Sequence, residues 1–138
     1  MKRREARELA FQLIYEMDFH KDTDYLEIYA NALSTREITD NDFTRSTFAG
    51  VYENKDKIDA LISKFAHGWK LERLSPVTLA IMRLSVYEMV IGKTVPVNVS
   101  INEAVELAKK FDDDNAPAFV NGILNKVAKE HSSADAQE

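Results

Sequence analysis

Apolar residues recur at helical spacing along almost the whole of this chain. Leu9, Leu13 and Met17 fall at i, i+4 and i+8, and Ala6, Ala10, Phe11 and Ile14 widen the stripe, which predicts a first helix from about Arg3 to Phe19. A short second helix is expected from Asp24 to Leu33. Thr39 and Asp42 offer a capping-box-like start to a third, with Phe43, Phe48, Val51 and Tyr52 facing inward. Ile58, Leu61, Ile62 and Phe65 mark a fourth over Asp56 to Phe65. Ser75-Pro76 pairs a cap residue with proline at the first helical position, a strong start signal. The helix it opens, Pro76 to Ile91, is apolar nearly all round and so is expected to be central and buried.

After Gly92 the segment Val95 to Val99 reads as an extended lead-in. Ser100 and Glu103 have the S-x-x-E spacing of a capping box, which predicts a helix from about Ile101 with Ala104, Val105, Leu107, Ala108 and Phe111 on one stripe. Asp112, Asp113 and Asp114 place three carboxylates at the negative end of that helix dipole and stop it. Asn115 then caps a last helix, with Pro117 in its first turn. Residues 132–138 are polar with nothing to bury, so the pattern predicts a single helical domain over 1–131 and a disordered tail.

Composition narrows this further. The 138 residues, 45% of them hydrophobic, suit one domain with a real core. Four Gly and three Pro are few for a sheet protein full of turns, which favours an all-α fold. With no Cys there is neither a disulfide framework nor a thiolate metal site, and the N-terminus lacks the apolar run of a signal peptide. The expectation is a cytoplasmic protein. No apolar run approaches the roughly 18 residues that span a bilayer; the stretch from Leu79 to Ile91 is interrupted by Arg83 and Glu88.

Charge adds a functional clue. The net charge is −5, yet Lys2, Arg3, Arg4 and Arg7 against Glu5 leave residues 1–7 at +3 and the remainder at −8. Such a balance argues against general attraction to nucleic acid and concentrates positive charge at one end. Arg3, Arg4 and Arg7 fall within one helical turn, so their guanidinium groups would project to one side, in a form suited to phosphate. The plain alternative is a solvated helix start. Cations at a helix N-terminus also oppose the macrodipole, a placement that hints at another use.

Enzymatic signatures are missing from the sequence. His20, His67 and His131 form no i, i+4 pair, and Gly50, Gly68, Gly92 and Gly122 stand apart rather than in a phosphate loop. The Asp112 to Asp114 run lacks the spaced oxygens of a calcium loop. No cofactor, metal or catalytic activity is expected. Trp69 and Tyr87 read as core or interface aromatics. Arg83, on a mostly apolar helix, needs solvent or a carboxylate, for which Glu88, Glu103 and Glu106 are candidates; a structural ion pair is favoured.

Three stretches of text now bear on family. Arg3-Arg4-Glu5-Ala6-Arg7-Glu8 with Ala10, Gln12 and Tyr15, the run Leu79 to Glu88, and Val95 to Phe111 followed by Phe119-Val120-Asn121-Gly122-Ile123-Leu124 resemble, in this order and over essentially the whole chain, the NusB family of transcription antitermination factors. The resemblance implies two small helical bundles packed roughly at right angles. It implies binding of boxA-type single-stranded RNA jointly with the ribosomal small-subunit protein NusE, within an RNA polymerase elongation complex that includes other Nus factors and reads ribosomal RNA operons. It also admits a homodimer, since some members self-associate and hide the RNA face.

Carried over by position, the RNA face would comprise Lys2, Arg3, Arg4 and Arg7 with Asn115 and Phe119, and the partner side would include Tyr15 and Glu72. Cations would track phosphates while a ring or amide reads exposed bases. The sequence departs from the family at Glu5, which interrupts the basic run, at Thr78, where an acidic partner-binding residue occurs, and at the Asp triplet. Similar helical domains precede the catalytic domain of certain ribosomal RNA cytosine methyltransferases, but no cofactor-binding α/β domain follows here. A protein-binding helical adaptor without RNA affinity is the remaining alternative.

Overall fold

The computed structural model describes residues 1–35, 39–66 and 70–136, the last five as backbone only. Among these residues there are seven α-helices and no strand: α1 (Arg3–Met17), α2 (Tyr25–Thr35), α3 (Asp42–Glu53), α4 (Lys55–Phe65), α5 (Pro76–Val86), α6 (Val97–Phe111) and α7 (Ala116–Ala136). A short 3-10 turn, Leu71–Arg73, precedes α5, and a π turn, Tyr87–Ile91, extends it. Helices α1 to α3 pack on one another, as do α4 to α7, and α5 joins the two groups by lying against α1, α3, α4, α6 and α7. One continuous core runs through both. None of the described helices is long and apolar enough to cross a membrane.

The expected stripes largely become the core. On α1, Ala6, Ala10, Phe11, Leu13, Ile14 and Met17 are buried. On α5 every residue from Thr78 to Val86 is buried, as its apolar circumference required. Ser75 accepts the Thr78 amide at 3.0 Å and Pro76 opens the helix, so the start signal is realised in full. At α3 the cap is Asn41, whose side-chain oxygen accepts from the Thr44 amide at 2.8 Å, rather than Thr39. Phe48 and Val51 face inward there, but Tyr52 is exposed and Phe43 only half-buried.

Several expectations are corrected. Helix α6 begins four residues before Ile101, at Val97, and its cap residue Pro96 makes no side-chain bond. The reason is tertiary: Ser100 is buried, its hydroxyl lies 2.8 Å from the Ser85 hydroxyl of α5, and Glu103 is drawn away to Arg4. With no strand among the described residues to pair with, the β-branched lead-in after Pro96 joins the helix. Asn115 does not cap α7; Asp113 does, its carboxylate accepting the Asn115 and Ala116 amides at 3.0 Å each. Asp112 accepts the Thr78 hydroxyl, so the triplet ties the α6–α7 break to the start of α5 rather than lying free in solvent.

The polar stretch read as a disordered tail from 132 continues the backbone of α7 through Ala136. It contains neither Gly nor Pro before that point, and Ala134 and Ala136 favour helix, so nothing in it breaks the helix. Trp69 lies outside the described residues. Arg83 is a structural ion pair as expected, but with other partners: Asp59 of α4 takes its Nε and Nη2 at 2.8 and 2.9 Å, and Asp18 takes Nη1 at 2.7 Å.

Nothing in the apolar pattern signals the π turn. Its widened backbone, closed by the Gly92 amide on the Tyr87 carbonyl at 2.8 Å, holds the Tyr87 ring against Gly50 of α3, where a Cβ would fall 2.4 Å from ring atoms. The left-handed residue that ends this segment is Lys93, at φ 50. The same turn carries Glu88, which is fully buried, toward α1.

Candidate nucleic-acid interface

The basic end of the chain is the first turn of α1. Its cap residue is Lys2, extended at φ −69 and ψ 149 with no side-chain cap bond, and Lys2, Arg3, Arg4 and Glu5 are all exposed. Helix periodicity separates the four expected RNA-binding cations into different environments. Arg3 lies with its guanidinium carbon 4.2 Å from the centre of the Phe43 ring. Arg4 remains 71% exposed while its Nε and Nη2 donate to Glu103 of α6 at 3.2 and 2.9 Å. That pair holds the Arg4 pKa above its usual value, through the hydrogen bond first and the neighbouring charge second.

Arg7 is elsewhere. It is 4% exposed, and its Nε and Nη2 donate to both oxygens of Glu88 at 2.9 to 3.2 Å. Burial pushes the Glu88 carboxyl up, against the lowering effect of Arg7. The structure therefore brings Lys2, Arg3 and Arg4 together at the surface and places Arg7 in the core beneath them.

Between α1 and α6 lies a cleft of about 340 Å³, bordered by Arg4, Glu103, Glu106, Lys109 and Lys110, with the buried Arg7 also reaching its wall. Its charges are interleaved: Lys110 donates to Glu8 at 2.9 Å and Lys109 to Glu106 at 3.4 Å. Asn115 and Phe119 belong to a different cleft, about 440 Å³, between the start of α5 and the start of α7, where Arg73, Ser75 and Thr78 also reach the wall. Asn115 is exposed and Phe119 half-buried one turn on. The two clefts share no lining residue.

An apolar groove of about 230 Å³ runs along α1, lined by Phe11, Gln12, Tyr15, Val77 and Phe111. The Phe11 and Phe111 rings lie 5.2 Å apart at its floor, and the Tyr15 ring is 5.0 Å from the exposed Phe19. Tyr15 is thus available at a surface with apolar character. Glu72 is exposed on the 3-10 turn and lies outside that groove.

The roles of four residues at or beneath these surfaces are not legible in the sequence. Phe43 reads as an inward-facing aromatic yet lies under Arg3. Glu103 reads as half of a capping box yet binds Arg4 across 99 positions. Arg73 carries no local signal for its place near Phe119, and the Glu88 partner of Arg7 is 81 residues away. Among the described residues no group of three or more His, Cys, Asp or Glu is arranged to hold a metal ion.

Comparison with known proteins gives consistent matches. The NusB family model matches residues 4–129. The chain is similar to a transcription antitermination protein NusB of Bacillus pumilus, 50% identical with 92% of this chain and 95% of that protein covered. It is also similar to one of Acetivibrio thermocellus, 44% identical over 100% of this chain and 97% of its relative. Among solved structures, a T. maritima NusB superposes with TM-score 0.85 at 37% identity, covering 94% and 92% of the two chains. A chain in a crystal structure of the antitermination factors NusB and NusE in complex with dsRNA superposes with TM-score 0.81 at 26% identity, covering 94% of this chain and 99% of that one.

Proposed function

Because the chain belongs to the NusB family, we propose that it is a transcription antitermination factor that binds boxA-type single-stranded RNA jointly with the ribosomal protein NusE. With other Nus factors it would keep RNA polymerase elongating through ribosomal RNA operons, as a non-catalytic cytoplasmic protein. The observation that carries this is the exposed trio Lys2, Arg3 and Arg4 at the first turn of α1, on a chain whose other residues carry net negative charge, in a fold shared with a NusB solved alongside NusE and double-stranded RNA.

Asn115 and Phe119 supply an amide and a ring at the edge of the second cleft, groups of the kind that read unstacked bases. Tyr15 and the apolar groove along α1 suit a protein partner, with Glu72 at a separate exposed position. Arg7 serves this function from below, by fixing the helix that presents the other three.

Fluorescent boxA-type RNA, a scrambled strand and a duplex competitor, each titrated with the chain, with NusE and with both, test the proposal. The mixture should bind the boxA-type strand more tightly than independent sites predict, with coupling of about 1 to 3 kcal/mol. Absence of RNA binding with and without NusE would favour the protein-binding adaptor instead, and RNA binding that NusE leaves unchanged would overturn the joint mechanism.

A further inference from the structure

The exposed cations of α1 are held in two physically different ways. Arg4 is gripped by Glu103, which orients it but takes up two of its N–H donors along one edge and partly screens its charge. Arg3 is held instead by a ring. Its guanidinium carbon is 4.2 Å from the centre of Phe43, a separation at which a cation is attracted by the negative face of the aromatic quadrupole. Guanidinium N–H groups lie in the plane of the group, so stacking occupies the flat face and leaves the in-plane donors and the full charge for an anion.

The ring itself is fixed in place. Phe43 sits in the first turn of α3, which Asn41 caps. The next residue, Thr44, is fully buried and its hydroxyl donates to the Ala6 carbonyl of α1 at 2.9 Å. Arg7, clamped by Glu88, has its guanidinium carbon 5.6 Å from the same ring. A buried cation thus anchors the ring from within the protein, and the ring steadies the exposed cation of the preceding turn.

We propose that Phe43 is a positioning residue for RNA binding, its ring holding the Arg3 guanidinium oriented and un-neutralised for an RNA phosphate. The inference rests on the RNA-binding function proposed above and adds to it a residue on a different helix. It also accounts for an arginine at the unfavourable end of a helix dipole: the aromatic face offsets that cost without consuming the charge.

The test measures binding of boxA-type RNA in the presence of NusE for the native chain, Phe43→Leu, Phe43→Tyr, Arg3→Ala and the Phe43→Leu/Arg3→Ala double variant, with NMR of the Arg3 side chain. Phe43→Leu should weaken binding about two- to fivefold, the size of a partly exposed cation–π contact. Phe43→Tyr should retain native binding, and Phe43→Leu should add nothing once Arg3 is Ala. The Arg3 side-chain protons should show an upfield ring-current shift in the native protein that disappears in Phe43→Leu. An Arg3 spectrum without that shift, native affinity in Phe43→Leu, or an equal loss with and without Arg3 would overturn the inference while leaving RNA binding in place. Failure of the native chain to bind RNA at all would overturn the underlying function as well. The shift is read on the native protein, so a variant that fails to fold does not remove the test.

Discussion

A guanidinium at 4% exposure is stable in a protein interior only with its countercharge, and Arg7 brings Glu88 with it. Removing Arg7 leaves the buried Glu88 carboxyl without the partner that offsets its desolvation. Arg7→Ala should therefore lower stability by about 3 to 5 kcal/mol, whereas Arg4→Ala, which breaks an exposed pair, should lower it far less. Denaturant unfolding of the two variants checks this, and similar losses would mean that Arg7 is not buried as described. The sequence could show that Arg3, Arg4 and Arg7 share a turn. It could not show which of them points inward, because that depends on a carboxylate 81 residues away. The same applies to Ser100, whose spacing with Glu103 is that of a cap but whose hydroxyl is used by Ser85, and to Arg83, whose acidic partners come from α4 and the end of α1.

At the scale of elements, apolar periodicity located each of the helices, since burial of a stripe is what makes a helix of this length stable. Ends were legible where the chemistry is local, as at Ser75-Pro76, and not where another helix claims the capping residue. The π turn at Tyr87–Ile91 has no periodic signature; it reflects the fit of the Tyr87 ring against Gly50. The link between α2 and α3 is a side-chain bond that pattern cannot reveal: Tyr29 donates to Asp40 at 2.5 Å, with Arg45 at 2.7 Å from the same carboxylate. The Tyr29 hydrogen bond lowers the Asp40 pKa, and burial followed by that bond raises the Tyr29 pKa. A carboxyl depressed on folding stabilises above its unfolded value of 3.8 and loses that contribution as pH falls through its lower folded value. A phenol raised on folding stabilises below its unfolded value of 10.0 and loses it as pH rises through the higher folded value. Tyr29→Phe should thus flatten both the acid and alkaline limbs of the melting-temperature profile. If the two profiles stay parallel across both limbs, the bond does not link these helices.

For the molecule as a whole, charge is divided unevenly, with +3 on residues 1–7 and −8 on the rest. That asymmetry was visible in the sequence; the internal neutralisation of part of it was not. Arg7 is spent on Glu88, Arg4 is shared with Glu103, and Lys110 is held by Glu8, so fewer cations face an RNA than a count along the chain suggests. Each phosphate contact on a single strand contributes about 0.7 to the slope of log affinity against log salt. With Lys2, Arg3 and Arg4 as the exposed set, the part of the slope owed to α1 should be about 2, not the larger value that four arginine and lysine contacts would give. Arg4→Ala should reduce the slope by about 0.7 or less, because Glu103 already competes for that guanidinium. Glu103→Gln in the native background should steepen it, since the carboxylate that partly screens Arg4 is gone. RNA titrations in the presence of NusE at several salt concentrations measure all three slopes, and a slope unchanged by both substitutions would remove Arg4 from the RNA face and leave Lys2 and Arg3 as the contacts at this end.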